Sequence, residues 1–292
     1  MELNRITRRQ ALKTAAVTAA TALLTHRLTA ADVVTGPALK GRINHSVCKW
    51  CYKSISLETM CQAGREMGLQ SIELLTVDDF PTLKKFDLSC AMVSGVPGGI
   101  TSGLNRLENH DKITEFFEQT IPLVAAAGFP NIICFAGNRK GMTDEEGLKN
   151  CATGLKRVLA VAEKNNVTIC MELLNSKVDH HDYMCDHSAW GVELCKQAGS
   201  ERFKLLYDIY HMQIMEGDVI RTISNHHQYF AHYHTGGVPG RHEIDETQEL
   251  NYPAIMKAIV ETGFKGHVAQ EFIPARPDVL ASLKQGVKIC DV

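Results

Sequence analysis

Short apolar runs alternate with amphipathic stretches through most of the chain, and the alternation never separates into blocks of strands or of helices. The runs at 43–50, 71–77, 88–94, 131–135, 167–174, 203–210, 230–234 and 267–273 predict eight strands. Stretches with helical spacing at 57–67, 81–86, 112–127, 145–164, 189–198, 219–228, 252–261 and 277–289 predict eight helices between them. Gly68, Gly128, Gly199 and Gly263 stand where helices must end before the next strand, since glycine takes the left-handed conformation without a Cβ clash. Asp144 and Asn251 are placed to cap helix N-termini. Strand-helix units repeated in this way predict parallel β/α construction. Eight of them in roughly 260 residues predict an α/β fold of the (β/α)8 TIM-barrel kind, a single domain over 40–292. A doubly wound open sheet is the alternative, but no glycine-rich phosphate loop follows the first strand to favour it.

The composition, 45% hydrophobic and 22% charged, is that of a globular chain. A formal charge of −2 offers no electrostatic footprint for nucleic acid or a membrane surface, so a small molecule is the expected partner. Residues 1–31 read differently. Thr7-Arg8-Arg9-Gln10-Ala11-Leu12-Lys13, an apolar run from Ala15 to Leu24 and Leu28-Thr29-Ala30-Ala31 resemble a twin-arginine export signal with a small-residue cleavage site. Ala11 stands where such signals commonly have phenylalanine. The resemblance implies an exported, periplasmic protein with no stable membrane insertion once the signal is removed. The ten cysteines are scattered, several inside apolar runs, and read as small buried hydrophobes. Cys48 and Cys51 have redox or zinc spacing but no second pair and no thioredoxin pattern around them, so their pairing stays open.

In a barrel the site lies at the C-terminal ends of the strands. Glu172, Asp208 and Glu271 each interrupt an apolar strand near that end, and His234 closes another. An unpaired buried carboxylate carries a desolvation penalty of several kcal/mol. One divalent cation shared by three carboxylates and an imidazole would remove it, and oxygen-rich ligation of this kind suits Mn2+ or Mg2+. A salt bridge or strand-end cap is the alternative for any single acid. His180, His181, His187, His226 and His227 read as surface residues. His232 shares the parity of His234 and is left unassigned. Trp50 and Tyr52 follow the first strand, where each would either wall a pocket or pack in the core.

The strings ELLN (172–175), DIYH (208–211), VPGRHE (238–243), the Asn251-Tyr252 pair and the Gln270-Glu271 pair resemble the hydroxypyruvate isomerase group of the xylose isomerase-like barrels, over essentially the whole chain after the leader. That resemblance implies Glu172, Asp208, His234 and Glu271 as metal ligands, Glu172 and Glu271 as the paired acid and base, and His211 and Arg241 as substrate contacts. The implied enzyme is an intramolecular oxidoreductase of the aldose-ketose type, converting hydroxypyruvate to 2-hydroxy-3-oxopropanoate, with a small hydroxy-carbonyl or sugar substrate. Arg241 suits a substrate carboxylate because a guanidinium makes two parallel hydrogen bonds to it; a solvated loop arginine or a bridge to Glu243 is the alternative. Two departures bear on the substrate. Hydroxypyruvate isomerases commonly have glutamine where His234 stands, as ketose 3-epimerases do not; those epimerases carry a second glutamate where this chain has Val178. A ketose 3-epimerase, a periplasmic lyase or hydrolase of keto-sugars, and a non-catalytic sugar-binding or metal-binding barrel remain alternatives. A zinc endonuclease barrel would need a basic DNA face, which this charge balance does not provide. A homo-oligomer is neither required nor excluded.

Overall fold

The computed structural model describes residues 39–292. The twin-arginine-like segment lies outside the described residues. Seven parallel strands form the sheet: β1 (Asn44–Cys48), β2 (Ser71–Glu73), β3 (Asn131–Cys134), β4 (Thr168–Glu172), β5 (Phe203–Asp208), β6 (Phe230–Thr235) and β7 (His267–Gln270). Their spatial order is β2-β1-β7-β6-β5-β4-β3, so β2 and β3 would be edges. The segment 88–94 fills the gap between them. Ser89 and Val93 bridge in parallel to Ser71 and Leu75 on one side, and Val93 bridges to Ile132 on the other.

The sequence predicts a full strand at 88–94, and the structure shows a broken one for a local reason. The Ala91 amide donates to Ser71 Oγ at 2.7 Å and the Ala91 carbonyl accepts from Asn131 Nδ2 at 2.9 Å, so side chains take ladder bonds that neighbouring backbone would otherwise make. Backbone bonds resume beside it, from Val93 N to Asn131 O and from Ile133 N to Val93 O. The barrel is closed, with its third stave the least regular.

Nine helices surround it among the described residues: α1 (Leu57–Met67), α2 (Phe80–Lys85), α3 (His110–Ala126), α4 (Asp144–Asn165), α5 (Ser188–Ala198), α6 (Ile209–Met215), α7 (Val219–His226), α8 (Tyr252–Glu261) and α9 (Val279–Cys290). None is long and apolar enough to cross a membrane. α6 replaces the predicted tail of the strand at 203–210. Asp208 caps it by accepting from the His211 amide at 3.1 Å, which turns the chain from strand to helix at that residue. Asn251 caps α8 as expected. Thr143, rather than Asp144, caps α4; its hydroxyl accepts from Glu146 N, and Asp144 becomes the first helical residue. Gly68, Gly128, Gly199 and Gly263 all have positive φ.

Candidate metal and catalytic site

Strand register brings the polar residues to one end of the barrel. Asp208 on β5 is level with His234 on β6, His234 with Ala269 on β7, and Glu172 on β4 with Leu206 on β5. Glu271 follows the end of β7, where its amide donates to Thr235 O. All four side chains are buried, and their ligand atoms lie within 4.8 Å of one another. Cys48 and Glu73 approach the same imidazole from below.

His234 is the centre of the arrangement. Its Nδ1 lies 2.7 Å from Glu271 Oε2 and 3.5 Å from Glu172 Oε1. Its Nε2 lies 2.9 Å from Glu73 Oε1 and 3.6 Å from Cys48 Sγ. Glu172 Oε1 and His234 Nδ1 are buried and make no aligned hydrogen bond. Three carboxylates and an imidazole with such orphaned atoms fit a divalent cation.

A cation is already present in the form of Arg241. Its Nη2 donates to Glu271 Oε2 at 2.5 Å and Asp208 Oδ2 at 3.1 Å, and its Nη1 to His211 Nε2 at 3.0 Å. The guanidinium lies between the rings of Trp50 and Tyr210, 5.3 and 5.1 Å from their centroids. It makes no bridge to Glu243, whose carboxylate accepts instead from the amides of Ala275 and Arg276 and from Ser282 Oγ.

These contacts drive the acids apart. Burial raises Glu172 above the ordinary carboxylate range, and the nearby Glu271 charge adds to it against the pull of His234. Burial acts on Glu271 in the same direction, but His234, Arg241 and the Trp50 indole outweigh it and hold that carboxyl well below its ordinary value. Trp50 Nε1 donates to Glu271 Oε1 at 2.7 Å. Burial pushes Asp208 up to about 8 despite Arg241. Burial and Arg241 together hold the His211 ring neutral. Of the two facing glutamates, Glu172 is therefore the more basic and Glu271 the more acidic.

Every residue named from the sequence as ligand, acid, base or substrate contact is in this cluster, His211 through α6 rather than from a strand. Two others, Glu73 and His180, were not legible as site residues. Glu73 is fully buried, accepts from Ser46 Oγ at 2.5 Å, and contacts Nε2 of His232 at 2.6 Å as well as His234. Burial opposes its charge, but the two imidazoles outweigh burial and hold it well below the ordinary range. Its signal was the same as that of the other acids, a carboxylate inside the apolar run Ile72-Glu73-Leu74. His180, expected on the surface, packs its ring 5.3 Å from that of His211 and lines the cavity. Trp50 walls the cavity, whereas Tyr52 is core and packs edge-on against Phe272. Cys48 and Cys51 are both buried free thiols.

Closed β/α staves with acids gathered at their C-terminal ends define a TIM-barrel protein whose site is at the usual face. The chain belongs to the xylose isomerase-like TIM barrel family, whose sequence profile matches residues 61–288. It is 25% identical over 231 residues to a Homo sapiens protein named "Putative hydroxypyruvate isomerase", covering 77% of this chain and 78% of that one. It is 34% identical over 113 residues to the 2-oxo-tetronate isomerase of Cupriavidus necator, covering 39% and 43%. Among solved structures, an AP endonuclease, family 2, from Brucella melitensis superposes with a TM-score of 0.72 at 21% identity, over 84% of this chain and 97% of that one. The 3-keto-D-glucoside 4-epimerase of E. coli gives 0.70 at 16% identity, over 84% and 98%. The isomerase class expected from the sequence agrees with the names of these sequence relatives.

Proposed function

We propose that the chain is a divalent-metal-dependent isomerase of a small hydroxy-carbonyl compound, with hydroxypyruvate to 2-hydroxy-3-oxopropanoate first among the reactions to test. The observation that carries this reading is the placing of Glu172 and Glu271, 3.5 and 2.7 Å from His234 Nδ1, in surroundings that move their proton affinities in opposite directions. Glu172, Asp208, His234 and Glu271 would hold Mn2+ or Mg2+, which supplies Lewis-acid polarisation of the substrate's carbonyl and hydroxyl oxygens when bound.

Glu271, ionised and fixed by Trp50, is the base that removes the proton from the hydroxyl-bearing carbon. That proton, directly or by exchange with solvent, reaches the neighbouring carbon through Glu172, so both carboxylates end the cycle ionised as ligation requires. One C–H bond breaks, the adjacent one forms, and the hydroxyl proton passes between the two oxygens, so the reaction balances without a redox partner. Arg241 offers paired donors to a substrate carboxylate, and the neutral His211 accepts from it and steadies its plane. The aromatic rings on both faces of the guanidinium limit where it can swing.

A ketose 3-epimerase is the second reading, favoured by an imidazole at position 234. Against it, Val178 is 58% exposed at the mouth, and the adjacent Asp179 is engaged by Tyr210 Oη and Asn175 Nδ2. Export through the twin-arginine route belongs to the same proposal. Secretion of a reporter fused to residues 1–40, abolished by replacing Arg8 and Arg9 with lysine, tests it.

The Mn2+-loaded protein, incubated in D2O with hydroxypyruvate, 2-oxo-tetronate, ketoses and 3-keto-sugars, should exchange a carbon-bound proton in at least one of them. Glu271→Gln should lower that turnover by three orders of magnitude or more, of the size lost when a general base is removed from a positioned site, while ligand still binds. Absence of exchange across the panel in the metal-loaded protein would remove the isomerase assignment.

A further inference from the structure

The cavity beside Glu172 and Glu271 is ionic at one end only. It encloses about 440 Å3, within the range of pockets that engulf a drug-sized ligand. Glu172, Glu271, Arg241 and His180 line one end, beside the Trp50 ring. The remainder is carbon: Leu74, Val96, Ile100, Ile133, Phe135 and Leu174, with Ser94 the one polar side chain among them. A three-carbon acid would reach only the ionic end. A polyol chain laid along the wall would bury hydroxyls where, of the lining side chains, only Ser94 can return a hydrogen bond.

The backbone is shaped to present this wall. Leu74, which directly follows Glu73, holds φ at 57°, a left-handed conformation that disfavours leucine, with its amide tied to Met92 O at 2.8 Å. A glycine or asparagine would hold that turn with less strain but would leave no apolar side chain at the cavity. Opposite, Gly95 at φ 115° and Gly99 at φ 52° fold the segment that carries Val96 and Ile100. Strained backbone at a cavity edge is a mark of a site rather than of packing alone.

We propose that the natural substrate is amphipathic: a hydroxy-carbonyl end at Glu172 and Glu271, and an alkyl or aryl substituent seated against Val96, Ile100, Ile133 and Phe135. This rests on the reading that those two glutamates hold the reacting carbons. Val178, Pro239 and Ile273 line an adjoining cavity that shares Trp50, His180 and Arg241 with this one.

Calorimetric titration of hydroxymethyl ketones bearing methyl, propyl, pentyl and phenyl tails into the full chain supplied with Mn2+ tests the proposal. Affinity should rise about fourfold per added methylene, the increment for burying one CH2, and the phenyl ketone should bind at least tenfold more tightly than the methyl one. A polyol tail of pentyl length should bind more weakly than pentyl. Ile100→Ser, on a loop, and Phe135→Ser should each cut the pentyl-to-methyl affinity ratio at least fivefold. A flat series, a preference for the polyol tail, or an unchanged ratio in both variants would overturn it. Deuterium exchange at carbon, followed by NMR on the same ketones, separates the two readings. Tail-dependent affinity without exchange removes the isomerase and keeps the chamber; exchange without tail dependence removes the chamber and keeps the isomerase.

Discussion

Glu73 Oε1 lies 2.9 Å from Nε2 of His234, and because a carboxylate only accepts, that nitrogen carries the ring proton. Nδ1 is turned toward Glu172 and Glu271; burial opposes charge on the ring, but Cys48 and Glu271 outweigh it and hold the imidazole protonated, so the Nδ1 proton is the one an arriving ion would displace. Glu73 thus selects the tautomer that can ligate a metal, as buried acids behind ligand histidines generally do. Glu73→Gln should weaken Mn2+ binding by about 10–100-fold at little change in shape. Titration of the folded variant, with circular dichroism to show that it is folded, checks this; equal affinity in both proteins would remove the role.

Metal uptake should depend on pH in a fixed direction. Burial raises the proton affinity of Glu172 and of Asp208, the latter to a pKa of about 8, and ligation requires both carboxylates ionised. Below pH 8 protons compete with the ion, so apparent affinity should climb as pH rises, by about one log unit per pH unit for the Asp208 proton alone, and level off above that value. Calorimetry in buffers of different ionisation enthalpy counts the protons released. Affinity that is flat between pH 6 and 8 would mean that these acids are ionised before the ion arrives.

Arg241 neutralises the acids that would otherwise be left unpaired. Arg241→Ala should cost about 3–5 kcal/mol in the metal-free protein, the scale for breaking a buried ion pair by removing one partner. Mn2+ restores positive charge at the same carboxylates, so it should raise the melting temperature of the variant by more than it raises that of the parent. Equal increments would show that the guanidinium and the ion act on different groups.

Trp50→Phe keeps an aromatic face for Arg241 but removes the donor to Glu271 Oε1. A hydrogen bond to a charged group contributes about 1.5–3 kcal/mol, and about 1.4 kcal/mol corresponds to one pKa unit. Since the bond favours the ionised form, its loss should raise the Glu271 pKa and move the acid limb of the turnover profile upward by roughly one pH unit. The limb staying in place would exclude Glu271 as the group that sets it.

The barrel was legible because its strands are buried on both faces and its helices on one, and those two periodicities survive in the sequence. Strand ends were less so. The run 203–210 remains apolar beyond Asp208, and only the capping bond of that residue to His211 N separates strand from helix. The four proposed ligands were found because each sits alone among hydrophobes at a strand end. Glu73 also sits alone among hydrophobes, but it stands in the first half of the chain, where sequence spacing does not tie it to the other acids. Neither the packing of His180 on His211 nor the carbon wall beside Glu172 could be read from spacing, since each joins loops and strands that meet only after closure.

All ten cysteines of the chain are buried and free, and burial raises the thiols of those at 48, 51, 61, 90, 134, 151, 170, 185, 195 and 290. Thiols so held form little thiolate, the species that exchanges with disulfides. The architecture therefore makes no demand on the redox poise around it. Thiols held this way suit a reducing interior and oxidising surroundings alike.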